Sequence, residues 1–458
     1  MDKGAEDEVS VVDDVSKIVG AVERIDAFPT VDELSEFVDR LAGAVPDRVT
    51  VAEIGRSRGG DPIREVLVGS GAKQVVVIGN PHPNEPIGMA TIRHLLGRLA
   101  ADDAQTLDAT WHFVLCLDPD GTRLNEGWFA KARTRTGVAR GFYRPPAAEQ
   151  PEWCFPTSWR GTAVGAPLPE TRALMRLIDR TSPALIVSLH NADFGGGFFY
   201  TTGGDRDYWT GLTDQLTAAG VPIYAGEPDV PGARTWAPGV FELPSFQRIA
   251  DTLAAEGVEP LAMMYGGGIR DYAASHGTAL LVCELPIWVD SRVTDDAPSG
   301  HSMASALCST ATAYEEVADI VLGALDRLSD QLTGHSPFER ALTDSVRALR
   351  GNATAKRSAT DSRTATLGEI FIEDYVWVGV ARLRAGGMLL RLLDEETRYR
   401  PSAEVATERT HFAAIFEKWC TDIETNAPGH PIPVHRLVRI QSSAIITAAT
   451  RLRDNLPL

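Results

Sequence analysis

Four apolar segments of strand length recur along the first 300 residues of the chain. They are Val75–Ile78, Thr110–Leu117, ALIVSLH, which ends at His190, and TALLVCE, which ends at Glu284. Unbroken runs of this kind are typical of strands that are buried on both faces, as in a parallel sheet. A helical period follows the first run, with Pro86 at a position where a first-turn proline is tolerated. The pattern predicts an α/β fold.

Other periodic segments predict the elements around these strands. Residues 49–71 alternate between apolar and polar side chains about a Gly-rich turn, which is typical of a β-hairpin. Helical patterns cover 15–25, 31–44 and 169–180, and an amphipathic helix is predicted across Ala311–Leu332. The last ~90 residues are predicted to be mostly helical.

Charge and composition divide the chain into three predicted parts. The first 336 residues have a net charge of −20, whereas those from Pro337 onward have +2. Residues 351–367 are small, polar and basic, and this composition favours a linker. We therefore predict an N-terminal segment (1–30), a main domain (31–336) and a mainly helical C-terminal extension (337–458), with the first 16 residues frayed.

The composition also excludes some classes of partner. A net charge of −18 argues against nucleic acid, whose phosphates need a basic surface. No run of eighteen apolar residues occurs, so no membrane span is expected. The acidic N-terminus is unlike a signal peptide. Five cysteines without a CxxC pair are typical of reduced thiols, which favours a cytoplasmic protein.

Each of the four apolar runs ends in residues that can take part in chemistry. His82 and Glu85 follow the first run, three positions apart, and His190 and Glu284 end the third and fourth. Ligands of α/β sheets bind beyond the carboxyl ends of the strands. Two histidines and one carboxylate form a catalytic zinc set with an open position for water, and the second carboxylate is then available as a base. The sequence therefore predicts a zinc-dependent hydrolase.

The residues from about Val31 to about Leu332 resemble the zinc metallocarboxypeptidases. The resemblance includes IGRSRGGDPI, the HxxE at His82–Glu85, DPDG near the family's NPxG, and SLH at His190. The most specific match is YGGGIRDYAASHGTALLVCEL, residues 265–285, which is similar without gaps to the family's segment before its catalytic glutamate. The fold implied is a mixed, mostly parallel twisted sheet flanked by helices, followed here by the helical extension.

The resemblance also implies roles for particular residues. His82, Glu85 and His190 would hold one Zn²⁺ per chain, and Glu284 would be the general base and acid. The family's oxyanion-stabilising arginine lies twelve residues beyond the glycine of NPxG, and counting from Gly121 gives Arg133.

The chain departs from the family at the positions that bind the substrate. Asn84 stands where the family usually has arginine, and Tyr143-Arg144 is the best match to the Asn-Arg pair that holds the substrate's terminal carboxylate. The mobile catalytic tyrosine has its nearest counterpart in Tyr265. Ile269 occupies the floor position of the side-chain pocket, which favours an uncharged or apolar terminal residue.

The sequence thus predicts an enzyme that cleaves an amide next to a free C-terminal carboxylate, with a narrow substrate range and a biosynthetic peptide as one candidate substrate. The segment HPNE, residues 82–85, also resembles the corresponding motif of the acyl-amino-acid deacylases. A zinc-dependent deacylase of N-acyl amino acids is therefore an alternative. A non-catalytic binding module that kept the fold is the competing class. The C-terminal extension could cover the active site, mediate dimerisation or recognise a carrier protein.

Overall fold

A computed structural model describes residues 14–130 and 133–458. The predicted fraying of the first 16 residues falls mostly outside this range. The described strands are β1 Val49–Arg56, β2 Pro62–Val68, β3 Lys73–Ile78, β4 Ala109–Val114, β5 Thr157–Trp159, β6 Thr162–Val164, β7 Leu185–Phe194, β8 Phe198–Thr201, β9 Thr235–Ala237, β10 Val240–Glu242, β11 Ala279–Val289, β12 Pro298–Ser302, β13 Thr364–Thr366 and β14 His430–Pro431.

The helices used below are numbered in chain order from the helix at residue 31. They are α1 Val31–Ala44, α2 Ile87–Leu99, α3 Pro119–Phe129, α4 Arg135–Ala139, α5 Pro169–Thr181, α6 Arg206–Ala218, α7 Phe246–Ala255, α8 Ile269–Ala273, α9 Met303–Arg327, α10 Pro337–Arg357, α11 Leu367–Phe371, α12 Val378–Tyr399, α13 Ala403–Asn426 and α14 Val434–Arg453.

A ten-stranded mixed sheet forms the centre of the fold. Its strand order is β1-β2-β4-β3-β7-β11-β8-β10-β9, and β14 pairs with the end of β11. The four central strands β4, β3, β7 and β11 are mutually parallel, while β1 and β2 form the predicted antiparallel hairpin. The mixed α/β sheet flanked by helices is thereby confirmed.

The first apolar run is buried because both faces of β3 are covered. Val75 and Val77 belong to the core on one side of the sheet, and Val76 and Ile78 belong to the core on the other. Helices α2 and α14 contribute to the first core and α5 contributes to the second. This double burial explains why the run is continuous rather than alternating.

Helices α9, α10, α12 and α13 form a second packing unit, which we call the helical layer. Its core includes Val321, Leu342, Leu389 and Phe412, and Phe142 from the loop after α4 packs into it. No described helix combines the length and hydropathy that crossing a bilayer requires. The five cysteines are unpaired, and Cys308 is exposed.

The predicted C-terminal boundary needs correction at two places. Residues 351–357 are the last two turns of α10 rather than a linker, since Ala353 is buried and Lys356 pairs with Glu373. The connection without regular structure is shorter, 358–363. Helix α14 packs in the catalytic core with α2 and α6, so residues 337–458 are not one separate unit.

Limited trypsin digestion should first cleave beside the exposed connection 358–363, after Arg357 or Arg363. We expect the two fragments to elute together on gel filtration, because α10 and α12 share one core and α14 is held by the catalytic domain. Fragments that separate without denaturant would instead support the separable extension that the sequence predicts.

Candidate active site

Three potential metal ligands converge at the carboxyl end of the central strands. His82 and Glu85 lie in the turn between β3 and α2, and His190 lies on β7. The Nδ1 atom of His190 is 3.2 Å from Nδ1 of His82 and 3.0 Å from Oε2 of Glu85. All three side chains are buried, with 3–5% exposure. Two imidazole nitrogens and one carboxylate oxygen therefore point at one another.

The turn after β3 is shaped by close backbone packing. A Cβ at Gly79 would lie 2.6 Å from the carbonyl oxygen of Leu115, and one at Gly88 would lie 3.0 Å from the Cα of Gly79. Glycine at both positions lets α2 start directly beneath β3. Asn191 then joins this turn to the sheet, since its side chain accepts from the Ile87 amide and its backbone N–H donates to Glu85.

This donor set fits a zinc ion. One ligand atom from each of His82, Glu85 and His190 can be chosen so that all lie within 4.8 Å of one another. Two neutral nitrogens and one carboxylate oxygen are the protein ligands of many catalytic zinc sites, which keep a further position for water or substrate. This grouping agrees with the sequence prediction, which used the spacing of His82 and Glu85 and the position of His190 at the end of a strand.

Glu284 lies beside this group on the neighbouring strand. It is in register with His190 across the parallel pair β7–β11, and its Oε1 is 3.8 Å from Nδ1 of His190. Burial raises the pKa of Glu284 to about 8; the carboxylates of Glu85 and Asp229 add to the rise, and His190 opposes it. A carboxyl group placed here can accept and return a proton next to the metal ligands.

Glu152 is a site residue that the sequence analysis missed. Its Oε2 lies 3.3 Å from Nε2 of His190 and 3.6 Å from Nε2 of His82, and its Oε1 accepts from the Ser188 hydroxyl. Burial alone would raise the pKa of Glu152, but the two imidazoles hold it lower, at about 2. An anionic Glu152 beside Nε2 of His190 favours a proton on that nitrogen, which leaves Nδ1 of His190 free to bind a metal.

A cavity of about 360 Å³ opens beside the metal-binding group. Its polar side chains include Glu284, Asp229, Arg270 and Asp271. The remaining wall is mainly apolar, and it is formed by Tyr200, Val230, Pro231, Leu243, Pro244, Phe246, Ile249, Met263, Met264, Ile269, Leu280 and Val282. Ile269, the predicted pocket floor, thus lines the cavity, and the space suits an apolar group.

Arg144 contacts the metal-binding group but does not line the cavity. Its Nη1 donates to Glu85 Oε1 at 2.7 Å and to Asn84 Oδ1 at 3.3 Å, and its Nη2 donates to Gln150. Its guanidinium lies over the ring of Trp153. Arg144 thus holds Glu85 in place and is itself held by Asn84 and Gln150, and neither Arg144 nor Asn84 lines the cavity.

Two further predicted residues lie away from the cavity. The ring of Tyr143 packs edge-on against Phe338 of α10, at the border of the helical layer. The guanidinium of Arg133 lies 5.4 Å from the ring centre of Phe28, and its carbonyl oxygen accepts from Trp288. Neither side chain lines the cavity, because residues 133–143 pack between the sheet and the helical layer.

Tyr265 lies at the mouth of the cavity, where the helical layer also approaches. Its hydroxyl accepts from Arg347 Nη1 of α10 at 3.3 Å. On the same helix, Asp344 accepts from the backbone N–H of Ala147, another residue at the cavity. Helix α10 therefore forms part of the rim.

Helix α14 supports the site from the opposite side. The side chain of Gln441 donates to the backbone carbonyl of His190 at 3.1 Å and accepts from the hydroxyl of Thr91 at 2.8 Å. All three groups are buried. The final helix thus fixes the backbone of a predicted metal ligand, a contact across 251 residues of sequence that no local pattern reveals.

The fold and this site define a metal-dependent hydrolase of the α/β class. The sequence profile of the zinc carboxypeptidase family matches residues 34–284, more than half of the chain, so the chain belongs to that family. It is therefore a metallopeptidase-type hydrolase, and the family's zinc dependence agrees with the His82–Glu85–His190 group. No curated protein sequence matches this chain closely enough to be a relative.

The chain is also similar, at low sequence identity, to several solved structures. Carboxypeptidase A from Helicoverpa armigera is 15% identical over 62% of this chain and 73% of its own, with a TM-score of 0.39. A metallo-carboxypeptidase from Burkholderia cenocepacia is 17% identical over 56% and 60%, with a TM-score of 0.34. Bovine thrombin-activatable fibrinolysis inhibitor is 12% identical over 56% and 86%, with a TM-score of 0.38.

Proposed function

We propose that this protein is a carboxypeptidase that holds one zinc ion per chain and releases an apolar C-terminal residue from a narrow range of substrates. The observation that carries the proposal is that Glu284, His82 and His190 line the same largely apolar cavity. A binding module without catalysis would have no use for a buried carboxylate next to three metal ligands.

Six side chains take part in the proposed reaction, three as metal ligands and three in other roles. Zinc held by the two histidines and Glu85 would activate a water molecule and polarise the scissile carbonyl. Glu284 takes the proton from the attacking water and returns it to the leaving amine. Arg144 fixes Oε1 of Glu85, which keeps Oε2 directed at the histidines. Glu152 orients the two imidazoles through their Nε2 atoms.

The narrow range follows from the shape and lining of the site. The cavity takes one group of limited size, and its wall offers apolar contacts over most of its area. Helix α10 and the 145–153 loop restrict the mouth, with Ala147 bonded to Asp344. Since Arg144 and Tyr143 are engaged inside the protein, general capture of any peptide carboxylate is weakened.

A substrate panel tests this proposal directly. Zinc-loaded protein is incubated with peptides that end in Leu, Phe, Lys or Glu, with the same peptides as C-terminal amides, and with N-acyl amino acids. We expect release of Leu or Phe from free-acid peptides and little from amides. Cleavage of acyl-amino acids alone would establish the deacylase instead, and the absence of any hydrolysis would support the binding module.

The metal ligands can be tested without an activity assay. His190→Ala should lose most of its zinc after purification and dialysis, because two remaining protein ligands do not form a stable catalytic site. His335→Ala is the matched control, since His335 is exposed. Zinc is measured by mass spectrometry against a wild-type value near one per chain. Full occupancy in His190→Ala would show that the ligand assignment is wrong.

A further inference from the structure

The cavity contains one guanidinium whose hydrogen-bonding capacity is not used. Among the described residues that line the cavity, Arg270 on α8 is the one arginine or lysine. Its Nε is buried and has no hydrogen-bond partner among the described residues. The nearest carboxylate is that of Asp271, with Oδ1 at 3.8 Å from Arg270 Nη1, beyond hydrogen-bond distance.

The Asp271 carboxylate accepts hydrogen bonds from backbone N–H groups and not from Arg270. Its Oδ1 accepts from the Phe246 N–H at 2.9 Å and its Oδ2 accepts from the Gly268 N–H at 3.1 Å. These bonds fix the starts of α7 and α8, so Asp271 has a structural use that does not depend on its neighbour. The charge of Arg270 is therefore only weakly compensated within the protein.

Neither Asp229 of the cavity nor the nearby Arg144 is free for this position. The Asp229 carboxylate accepts from the hydroxyl of Tyr200. Arg144, the predicted anchor for a substrate carboxylate, is bonded to Glu85, Asn84 and Gln150. A buried donor left without a partner costs free energy unless a ligand satisfies it. Nε and a terminal nitrogen of arginine match the two oxygens of a carboxylate.

We propose that Arg270 binds a carboxylate of the substrate, while the apolar wall next to it holds the substrate's hydrocarbon part. This inference rests on the proposed function and names the group that its cavity recognises. Three apolar residues near Arg270 in the sequence line the cavity, namely Ile269, Met264 and Met263. Phe246 and Ile249 of α7 line the same cavity. The carboxylate is the terminal one if the released residue is apolar as proposed, and a preference for Glu over Gln would assign Arg270 to an acidic terminal side chain and correct the proposed preference.

The test compares wild type with Arg270→Gln on four peptides that end in Leu, Leu-amide, Glu and Gln. If Arg270 holds the terminal carboxylate, the variant raises KM for the Leu peptide about 10- to 100-fold with little change in kcat, and its preference for acid over amide disappears. If Arg270 holds a side-chain carboxylate, wild type prefers Glu to Gln and the variant does not. An unchanged KM on all four peptides would overturn the inference.

Two controls separate this inference from folding and from the proposed function. Arg206→Gln, at an exposed arginine of α6, should behave as wild type. Arg270→Lys keeps the charge but not the paired donors, so it should fall between wild type and Arg270→Gln at an unchanged melting temperature. If wild type hydrolyses no peptide, calorimetric binding of N-acetyl-leucine, its amide, N-acetyl-glutamate and N-acetyl-glutamine to both proteins still tests Arg270. Equal binding by wild type within both pairs, the leucine acid against its amide and the glutamate against the glutamine, would then refute its role.

Discussion

Glu284→Gln should retain zinc and the wild-type melting temperature while kcat falls about 10²- to 10⁴-fold, the usual contribution of a positioned general base. Glutamine keeps the size of the side chain and one hydrogen-bond acceptor, but it cannot take a proton from water. The carboxylate lies 3.8 Å from Nδ1 of His190 and borders the cavity, so its loss acts at the reacting centre.

The measurement pairs single-turnover kinetics with zinc analysis of the same sample. Glu256→Gln is the matched control, because Glu256 is an exposed carboxylate beyond α7. That variant should retain full turnover. A Glu284→Gln protein that turns over within a few-fold of wild type would show that another group accepts the proton.

The part of the site that sequence patterns predicted is the part encoded locally. His82 and Glu85 are three residues apart in one turn, and His190 and Glu284 each end an apolar run that could be recognised as a buried strand. Because the central strands are parallel, the ends of β3, β7 and β11 must meet at one edge of the sheet. Periodicity and topology together were therefore enough to bring four side chains to one place.

Residues that act through tertiary contacts could not be found in this way. Glu152 lies in a single 3-10 turn, Pro151–Trp153, and it reaches the histidines because residues 145–153 fold back over the turn after β3. Arg133 and Arg144 illustrate the same limit. Counting along a motif selected Arg133. The segment between Arg133 and Arg144 packs against the helical layer, and this packing brings Arg144, not Arg133, to Glu85.

Composition predicts a boundary near residue 337, but composition reports the surface rather than the contacts. The change of charge near residue 337 reflects the exposed side chains of the helical layer. The charge change gives no information about α14. This helix contains the run QSSAIITAAT, residues 441–450, which is rich in small and polar side chains and is nevertheless buried throughout. Small side chains let this helix lie close to α2, and Gln441 and Thr91 satisfy each other there.

The chain that ends at residue 336, the predicted catalytic domain, should fail to fold. Helix α14 buries fifteen of its twenty residues, and Leu437, Ile440, Ile445 and Ile446 are fully inaccessible in the core shared with α2 and α6. Truncating one such side chain to alanine costs about 2–5 kcal/mol. Removing four costs about 8–20 kcal/mol on that scale, as much as the whole stability of a typical domain, about 5–15 kcal/mol, before the exposed faces of α2 and α6 are considered.

A pair of substitutions on this helix tests the same point in the full-length protein. Ile445→Asp places an unpaired carboxylate in the core and should abolish soluble expression or cooperative unfolding, whereas Arg436→Asp, at an exposed position of the same helix, should change the melting temperature by only a few degrees. If Ile445→Asp instead yields soluble protein that binds zinc as wild type does, α14 is dispensable to the catalytic core and the boundary near residue 337 stands.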